Sequence, residues 1–388
     1  MLGINIIIDK DIPFIKGVFE PYANVEYLKG NEFTNEKVKN ADALVIRTRT
    51  KCNEALLGGS SVKFIATATI GTDHIDLDYC RKASIEVTNA AGCNAGGVMQ
   101  YVFTALYYLS EKKGFELPCC AGFKENNAPK VQGTCKKTIG VIGVGNVGKK
   151  VSELAEYLGF EVLRCDPLKE REQTLAFNAG QMRINEFKDY YSLDYLLQNS
   201  DIVTMHTWLD STTRNMADAV FFSKMKDGAI FINASRGEVV DDAALLANAE
   251  RFCAVVLDVW NGEPQIDRKL LQAADIATPH IAGYSYEGKV NGTTMAVRGV
   301  ARHFCIEPLA GFVADMDLSN KNAGSENCID FCGLNKKQVS EQLTDIFPIF
   351  ELDSDLRKNP ENFEKIRSNY NYRREFYVNP TAKTANLG

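Results

Sequence analysis

Residues 138–148 read T-I-G-V-I-G-V-G-N-V-G, an apolar run closing on Gly143, Val144, Gly145, Asn146, Val147 and Gly148. That hexad passes directly into V-G-K-K-V-S-E-L-A-E-Y-L-G (147–159), whose spacing predicts a helix ended by glycine. Strand, glycine-rich turn and helix in immediate succession are what a pyrophosphate needs: a tight turn, a close backbone approach and a helix N-terminus aimed at the anion. The next apolar run, E-V-L-R-C-D (161–166), ends on Asp166, 18 residues after the last glycine. A carboxylate about 20 residues on is placed to accept hydrogen bonds from the adenosine ribose. It would repel the 2′-phosphate of NADP, so NAD is the expected cofactor, although Arg164 and Lys169 lie close by in sequence.

The rest of the chain has to accommodate a parallel, doubly wound sheet. Short apolar runs at 201–207 (DIVTMHT), 229–235 (AIFINAS), 253–260 (CAVVLDVW) and 275–280 (DIATPH) continue it, with helix-length segments between most of them. An earlier set, INIII (4–8), ALVIR (43–47) and KFIATAT (63–69), predicts a smaller α/β unit over residues 1–93. Residues 94–111 predict a buried helix, and the polar stretch 116–137 a surface excursion. Beyond 284 the character changes: 286–304 and 335–347 predict helices, and 356–376 is strongly charged. The expected organisation is a flavodoxin-like substrate-binding unit (1–93), a Rossmann-like NAD-binding unit (94–283) and a C-terminal α+β unit (284–388).

Three residues stand where open parallel sheets gather ligands, just past predicted strands. Arg236 follows AIFIN in A-S-R-G, Glu263 follows AVVLDVW in N-G-E-P, and His280 follows IATP in T-P-H-I-A-G. A guanidinium grips a carboxylate in a planar, bidentate way. A histidine exchanges protons near neutral pH, and a carboxylate beside it orients the ring and stabilises its cation. Singly, each has an ordinary explanation as a surface pair, a turn residue or a buried ring. In this order after a dinucleotide turn, they predict hydride transfer at an alcohol carbon next to a carboxylate. Arg47, Arg49 and Lys51, interleaved with Thr48, are candidates near a phosphate. His74 and His206 are expected to be structural, and nothing visibly activates Cys93.

Composition narrows the alternatives. Lys and Arg total 44 against 50 Asp and Glu, a net charge of −6, so no general nucleic-acid footprint is expected. Eleven cysteines are scattered from Cys52 to Cys332 without a C-x-x-C pair, which predicts free thiols, no metal site and a cytoplasmic location. The start, MLGINIIID, lacks the pattern of an export signal, and no run approaches the roughly 18 apolar residues of a membrane span.

The order G-V-G-N-V-G, Asp166, S-R-G, D-V-W-N-G-E-P, H-I-A-G resembles the D-isomer-specific 2-hydroxyacid dehydrogenases, as do I-G-T-D-H-I-D (70–76) and A-G-C-N-A (91–95). More narrowly, I-R-T-R-T-K (46–51), H-I-A-G-Y-S-Y-E-G-K (280–289) and F-E-K-I-R-S-N-Y-N-Y-R-R-E (363–375) are similar to the branch that oxidises 4-phospho-D-erythronate in pyridoxal phosphate biosynthesis. The resemblance implies Arg236, Glu263 and His280 as the catalytic set, with His280 the proton carrier. It implies Thr48, Thr69 and Tyr284 as substrate contacts, beside Arg47, and Asp166, Thr207, Ala234, Ser235, Arg236, Asp258 and Gly283 as NAD contacts. It also implies homodimerisation through the C-terminal unit. Trp208, Gln100 and Asn261 depart from the family's usual residues without removing a catalytic group. A phosphoglycerate- or hydroxypyruvate-type enzyme of the same family, and an NAD(H)-sensing module without turnover, are the alternatives.

Overall fold

The structure, a computed structural model, describes residues 3–119, 136–183, 186–314, 328–331 and 333–378. The polar stretch 116–137, with Cys120 and Cys135, falls largely outside them. Two compact units emerge, one from the residues up to 94 together with 284–314, the other from 95–283 with 328–378.

The first unit is a five-stranded parallel sheet of β1 (Asn5–Asp9), β2 (Asn24–Leu28), β3 (Ala43–Ile46), β4 (Phe64–Thr67) and β5 (Glu86–Asn89) in the order β2-β1-β3-β4-β5. Every residue of β3 and β4 is buried, which is why their sequences are continuous apolar runs rather than alternations. Ile6, Ile8, Val45 and Phe64 face one layer, which includes Ala296, Val297 and Val300 of the helix Tyr286–His303. Ile7, Leu44, Ile46 and Ile65 face the other, with Leu56, Leu57 and Cys80.

The second unit is a six-stranded parallel sheet of β6 (Thr138–Ile142), β7 (Glu161–Cys165), β8 (Ile202–Met205), β9 (Ile230–Asn233), β10 (Ala254–Leu257) and β11 (Ile276–Ala277), ordered β11-β10-β9-β8-β6-β7. The chain leaves β6 outward to β7 and returns to β8 on its other side. The carboxyl edge of β6 is therefore a topological switch point, where such sheets open a crevice. A small parallel pair, β12 (Cys328–Ile329) with β13 (Tyr377–Val378), completes the strands described.

The residues after 283, expected as one C-terminal unit, are divided between the two. The helix Tyr286–His303 puts its apolar side into the first core. The helices Lys336–Ile346 and Ile349–Lys358 pack on the helix Ala95–Lys113 and on β11 of the second unit. Two polar ties fix the latter contact. Asp353 accepts the amide of Ala277 at 2.7 Å, and Arg357 donates to the carbonyls of Leu271 and Ala274, both at 2.7 Å.

Arg373 seals the tail to the sheet edge. Its guanidinium is buried and donates to the carbonyls of Gly97 (2.8 Å), Ile281 (3.1 Å) and Ala282, and to Oε1 of Gln100 (3.2 Å). Its cationic face lies 4.1 Å from the centre of the Phe347 ring. Truncation at Arg373 leaves several buried acceptors without a donor. Arg373→Ala is expected to lower unfolding free energy by about 2–4 kcal/mol, read from the denaturation midpoint at unchanged slope. A loss below about 0.5 kcal/mol, the level of an ordinary surface substitution, contradicts this assignment.

Candidate active site

The glycine turn has the geometry its spacing predicts. Gly143 adopts φ +83°, and a Cβ there would stand 2.7 Å from the carbonyl oxygen of His206, so the turn lies directly against the end of β8. A Cβ on Gly148 would stand 2.0 Å from the carbonyl oxygen of Gly143, which brings the helix Asn146–Leu158 close under the turn. Gly145, the N-cap, has open space where a Cβ would point, and no side chain caps the helix. Its first amides thus face that space as donors. At the end of β7, Asp166 accepts the Val144 amide through Oδ2 (2.8 Å) and the Lys169 amide through Oδ1 (3.0 Å). The carboxylate is clamped beside the turn, and each oxygen keeps a lone pair for a ribose hydroxyl.

Two buried polar atoms at the end of β8, Nδ1 of His206 and Oγ1 of Thr207, have no hydrogen-bond partner among the described residues. Such orphans are costly unless a ligand satisfies them. Together with the open turn and the clamped carboxylate, they fit a dinucleotide. Burial pushes the His206 imidazole down to about 3, so it is a neutral ring, with Nε2 3.0 Å from Oγ1 of Thr204. Nearby cations are occupied: Arg164 pairs with Glu156 and Lys169 with Glu172. Neither guards a second phosphate.

The catalytic candidates rise from β9, β10 and β11. After β9, Asn233 accepts the Ser235 amide and hydroxyl (3.1 and 2.8 Å) and donates to the Arg236 carbonyl (2.9 Å), fixing the turn that presents Arg236. A Cβ on Gly237 would stand 2.1 Å from the Trp260 carbonyl carbon, so only glycine lets the Arg236 and Glu263 loops touch. Asn261 ties the same loops by donating to the Val240 carbonyl (3.1 Å) and Asp242 (2.8 Å).

Glu263 and His280 form a direct pair, Oε2 to Nδ1, at 2.8 Å. The other carboxylate oxygen accepts the Trp260 amide at 2.9 Å, and Arg367 stands 3.9 Å from Oε2. Burial works against the Glu263 anion. His280, Arg367 and the Trp260 amide outweigh it and hold the carboxyl below its usual range. His280 is non-glycine at φ +55°, a strained backbone held from below by Asp258. Asp258 is buried and accepts the amides of Ile281 and Ala282 (2.8 Å each) and the Thr278 hydroxyl (2.7 Å), while its carbonyl takes the His280 amide (2.7 Å). Burial pushes its carboxyl up, against the pull of His280 and these donors. Because Nδ1 faces Glu263, Nε2 is the ring nitrogen not engaged by that carboxylate. Sequence reasoning missed the parts played by Asn233, Arg367 and Arg373; Asn233 directly precedes the A-S-R-G motif it did single out, which Gly237 closes.

In the first unit, Thr48 is exposed in the turn after β3, and Thr69 follows the neighbouring β4, its hydroxyl 2.7 Å from that of Thr67. Arg47 is gripped by Asp9 through Nε (3.0 Å) and Nη2 (3.2 Å) and by Asp11 at 2.8 Å. Lys289 lies 3.8 Å over the Tyr284 ring.

Residues 118–282 match the family model described as D-isomer specific 2-hydroxyacid dehydrogenase, NAD binding domain. The chain is 39% identical over 380 residues to the erythronate-4-phosphate dehydrogenase of Bacteroides fragilis, covering 96% of this chain and 97% of that one. It is 37% identical over 388 residues to the Salmonella schwarzengrund protein of the same name, with 96% and 92% covered. Among solved structures, D-lactate dehydrogenase from Aquifex aeolicus, complexed with NAD and lactic acid, superposes with a TM-score of 0.59 at 24% identity, over 79% of this chain and 96% of that one. NAD+-bound 3-phosphoglycerate dehydrogenase from Entamoeba histolytica gives 0.59 at 23% identity, over 81% and 99%. These two likenesses establish the fold.

With Asp166 as the candidate ribose acceptor, removing its carboxylate would forfeit charge-assisted hydrogen bonds to that ribose. Asp166→Ala is expected to raise the Kd for NAD by roughly 10- to 100-fold, about 1.5–3 kcal/mol, without producing an NADP-preferring protein, since Arg164 and Lys169 stay paired. Calorimetric titration with both dinucleotides measures this, and unchanged NAD affinity removes Asp166 from the ribose.

Proposed function

We propose that this chain, which belongs to the erythronate-4-phosphate dehydrogenases within the D-isomer-specific 2-hydroxyacid dehydrogenases, oxidises 4-phospho-D-erythronate at C2 to 2-oxo-3-hydroxy-4-phosphobutanoate, a step toward pyridoxal 5′-phosphate. The protein is an NAD-dependent dehydrogenase. The 2.8 Å pair between His280 Nδ1 and Glu263 Oε2, at the edge of the dinucleotide-binding sheet, carries the mechanistic part of this reading.

NAD, when bound, supplies the acceptor for the hydride leaving C2. The chain does the rest. Gly143 to Gly148 cradle the pyrophosphate, Asp166 takes the ribose, and Thr207, Ala234, Ser235, Asp258 and Gly283 line the remainder of the dinucleotide. Arg236 holds the substrate carboxylate and the neighbouring C2 oxygen in one plane, polarising that oxygen. His280 Nε2 accepts the C2 hydroxyl proton as the C2–H bond breaks and C2=O forms. Glu263 stabilises the resulting imidazolium. Thr48 and Thr69, with Arg47 and Tyr284, bind the rest of the substrate, including its phosphate. Arg47 enters that role in a fixed orientation, because Asp9 holds its guanidinium from behind.

Turnover with NAD and a 2-oxo acid as a further hydride acceptor tests the reading, with phosphoglycerate and unphosphorylated erythronate as rival substrates. Selective oxidation of the phosphoerythronate, lost in Arg236→Ala and reduced about 10²- to 10⁴-fold in His280→Gln, is the expected result. Activity on another hydroxy acid alone keeps the chemistry and discards the substrate. NAD binding without turnover of any of them favours a sensing module.

We also assign a cytoplasmic location and a homodimer formed through the C-terminal residues, 284–388. The cysteines described, Cys52, Cys80, Cys93, Cys119, Cys165, Cys253, Cys305 and Cys328, are free thiols. Among the described residues no helix is long and apolar enough to cross a membrane. Phe350, 41% exposed, and Tyr377, 51% exposed, give that segment apolar surface to cover. Light scattering on the eluting full chain is expected to give twice the chain mass; a single chain mass at micromolar concentration rejects the dimer.

A further inference from the structure

The charged tail contains a guanidinium that the mechanism above does not use. Arg367 lies on the helix Phe363–Asn369, which is anchored by fully buried Phe363 and by Ile366 against the core of the second unit. Its Nη1 stands 3.9 Å from Glu263 Oε2 and 3.4 Å from Glu364 Oε1. The oxygen it approaches is the one that holds His280 Nδ1 at 2.8 Å. The side chains of Arg367 and Glu263 are only 16% and 19% exposed, so water screens their attraction weakly.

We infer that Arg367 is a positioning residue for proton transfer: by sharing the Glu263 oxygen that binds His280, it limits how tightly that carboxylate holds a proton on the imidazole. This inference rests on the role proposed for the Glu263–His280 pair. An unshared carboxylate beside an imidazole favours the protonated ring, and a ring that stays protonated is a poor base for a hydroxyl. A second cation on the same oxygen opposes this, both by competing for the carboxylate and by repelling the imidazolium. Among the described residues, the charged groups shown to act on the pair are Asp258 beneath the 280–282 loop, Arg367 from the tail helix and, through Arg367, Glu364. Asp258 favours the imidazolium and Arg367 opposes it. Glu364 draws Arg367 away from Glu263.

Two readouts on the full chain separate this role from a strut. One is the acid limb of the kcat/KM–pH profile for phosphoerythronate oxidation with NAD. The other is the NMR titration midpoint of the His280 ring, identified among the four histidines by its loss in His280→Gln. In Arg367→Gln both are expected to move to higher pH by about one pH unit, and Arg367→Lys returns them toward the parent. In Glu364→Gln, which removes a carboxylate that competes with Glu263 for Arg367, both move to lower pH. NAD affinity and the melting temperature check that each variant is folded. Should Arg367→Gln not fold, Glu364→Gln decides alone. A fall in kcat with both midpoints unmoved makes Arg367 a structural prop and overturns the inference. The ring titration needs no turnover. A chain inactive on phosphoerythronate whose His280 midpoint still moves loses the substrate assignment and keeps this one.

Discussion

The buried carboxylate of Asp258 organises the catalytic edge of the second unit. Three donors converge on it, two of them the consecutive amides of Ile281 and Ala282, and its own carbonyl receives the amide of His280. A chain that must place these amides around one carboxylate turns sharply, and His280 absorbs the turn at φ +55°. Such backbone costs of order 1–3 kcal/mol unless its surroundings over-determine it. Here they do: buried Tyr101 hydrogen-bonds Thr278 at 2.8 Å, Thr278 donates to Asp258, and the indole of Trp260 donates to the Thr278 carbonyl at 2.9 Å. The imidazole is thereby aimed at Glu263 before any substrate arrives. For the base proposed above, such preorganisation would remove the cost of orienting the ring.

The same loop is held from its other side by the tail. Arg373 takes the carbonyls of Ile281 and Ala282, the two residues whose amides Asp258 takes. Anion and cation therefore grip opposite polar groups of one dipeptide. Neither group survives buried alone at reasonable cost, which ties the integrity of the His280 loop to a segment some 90 residues later. The tail is thus built into the edge of the second unit's sheet that carries His280.

Much of this was legible in the sequence, and the failures have physical reasons. The strands found by inspection, such as β3, β4, β8 and β9, are buried on every residue and so read as unbroken apolar runs. β2 (N-V-E-Y-L) and β5 (E-V-T-N) escaped because they are sheet-edge strands with mostly half-buried or exposed residues, which carry no such run. The glycine turn and Asp166 were legible because backbone geometry dictates residue type there. Gln100 was read as a departure of no catalytic consequence, and the structure gives it a use as an acceptor for Arg373. That use was invisible because its partner lies 273 residues away. The single C-terminal unit expected after 284 was the main misreading. A change of composition marks where a segment begins, but the core that each helix joins depends on long-range packing that local pattern does not encode.

Long-range placement also explains why the sequence could nominate Arg236, Glu263 and His280 as candidates and not Arg367. The first three follow strands, and a parallel sheet delivers all its strand ends to one edge whatever the intervening sequence. Order along the chain then suffices to predict proximity. Arg367 reaches Glu263 from a short helix in a tail dense with charge, where Arg357 and Arg373 serve other acceptors and only the fold selects which cation meets the carboxylate. What singles it out is that Phe363 and Ile366 bury their side of the helix in the sheet's own core. Apolar packing, with no electrostatic preference of its own, thereby sets which cation of the tail shares the carboxylate on which the proposed base depends.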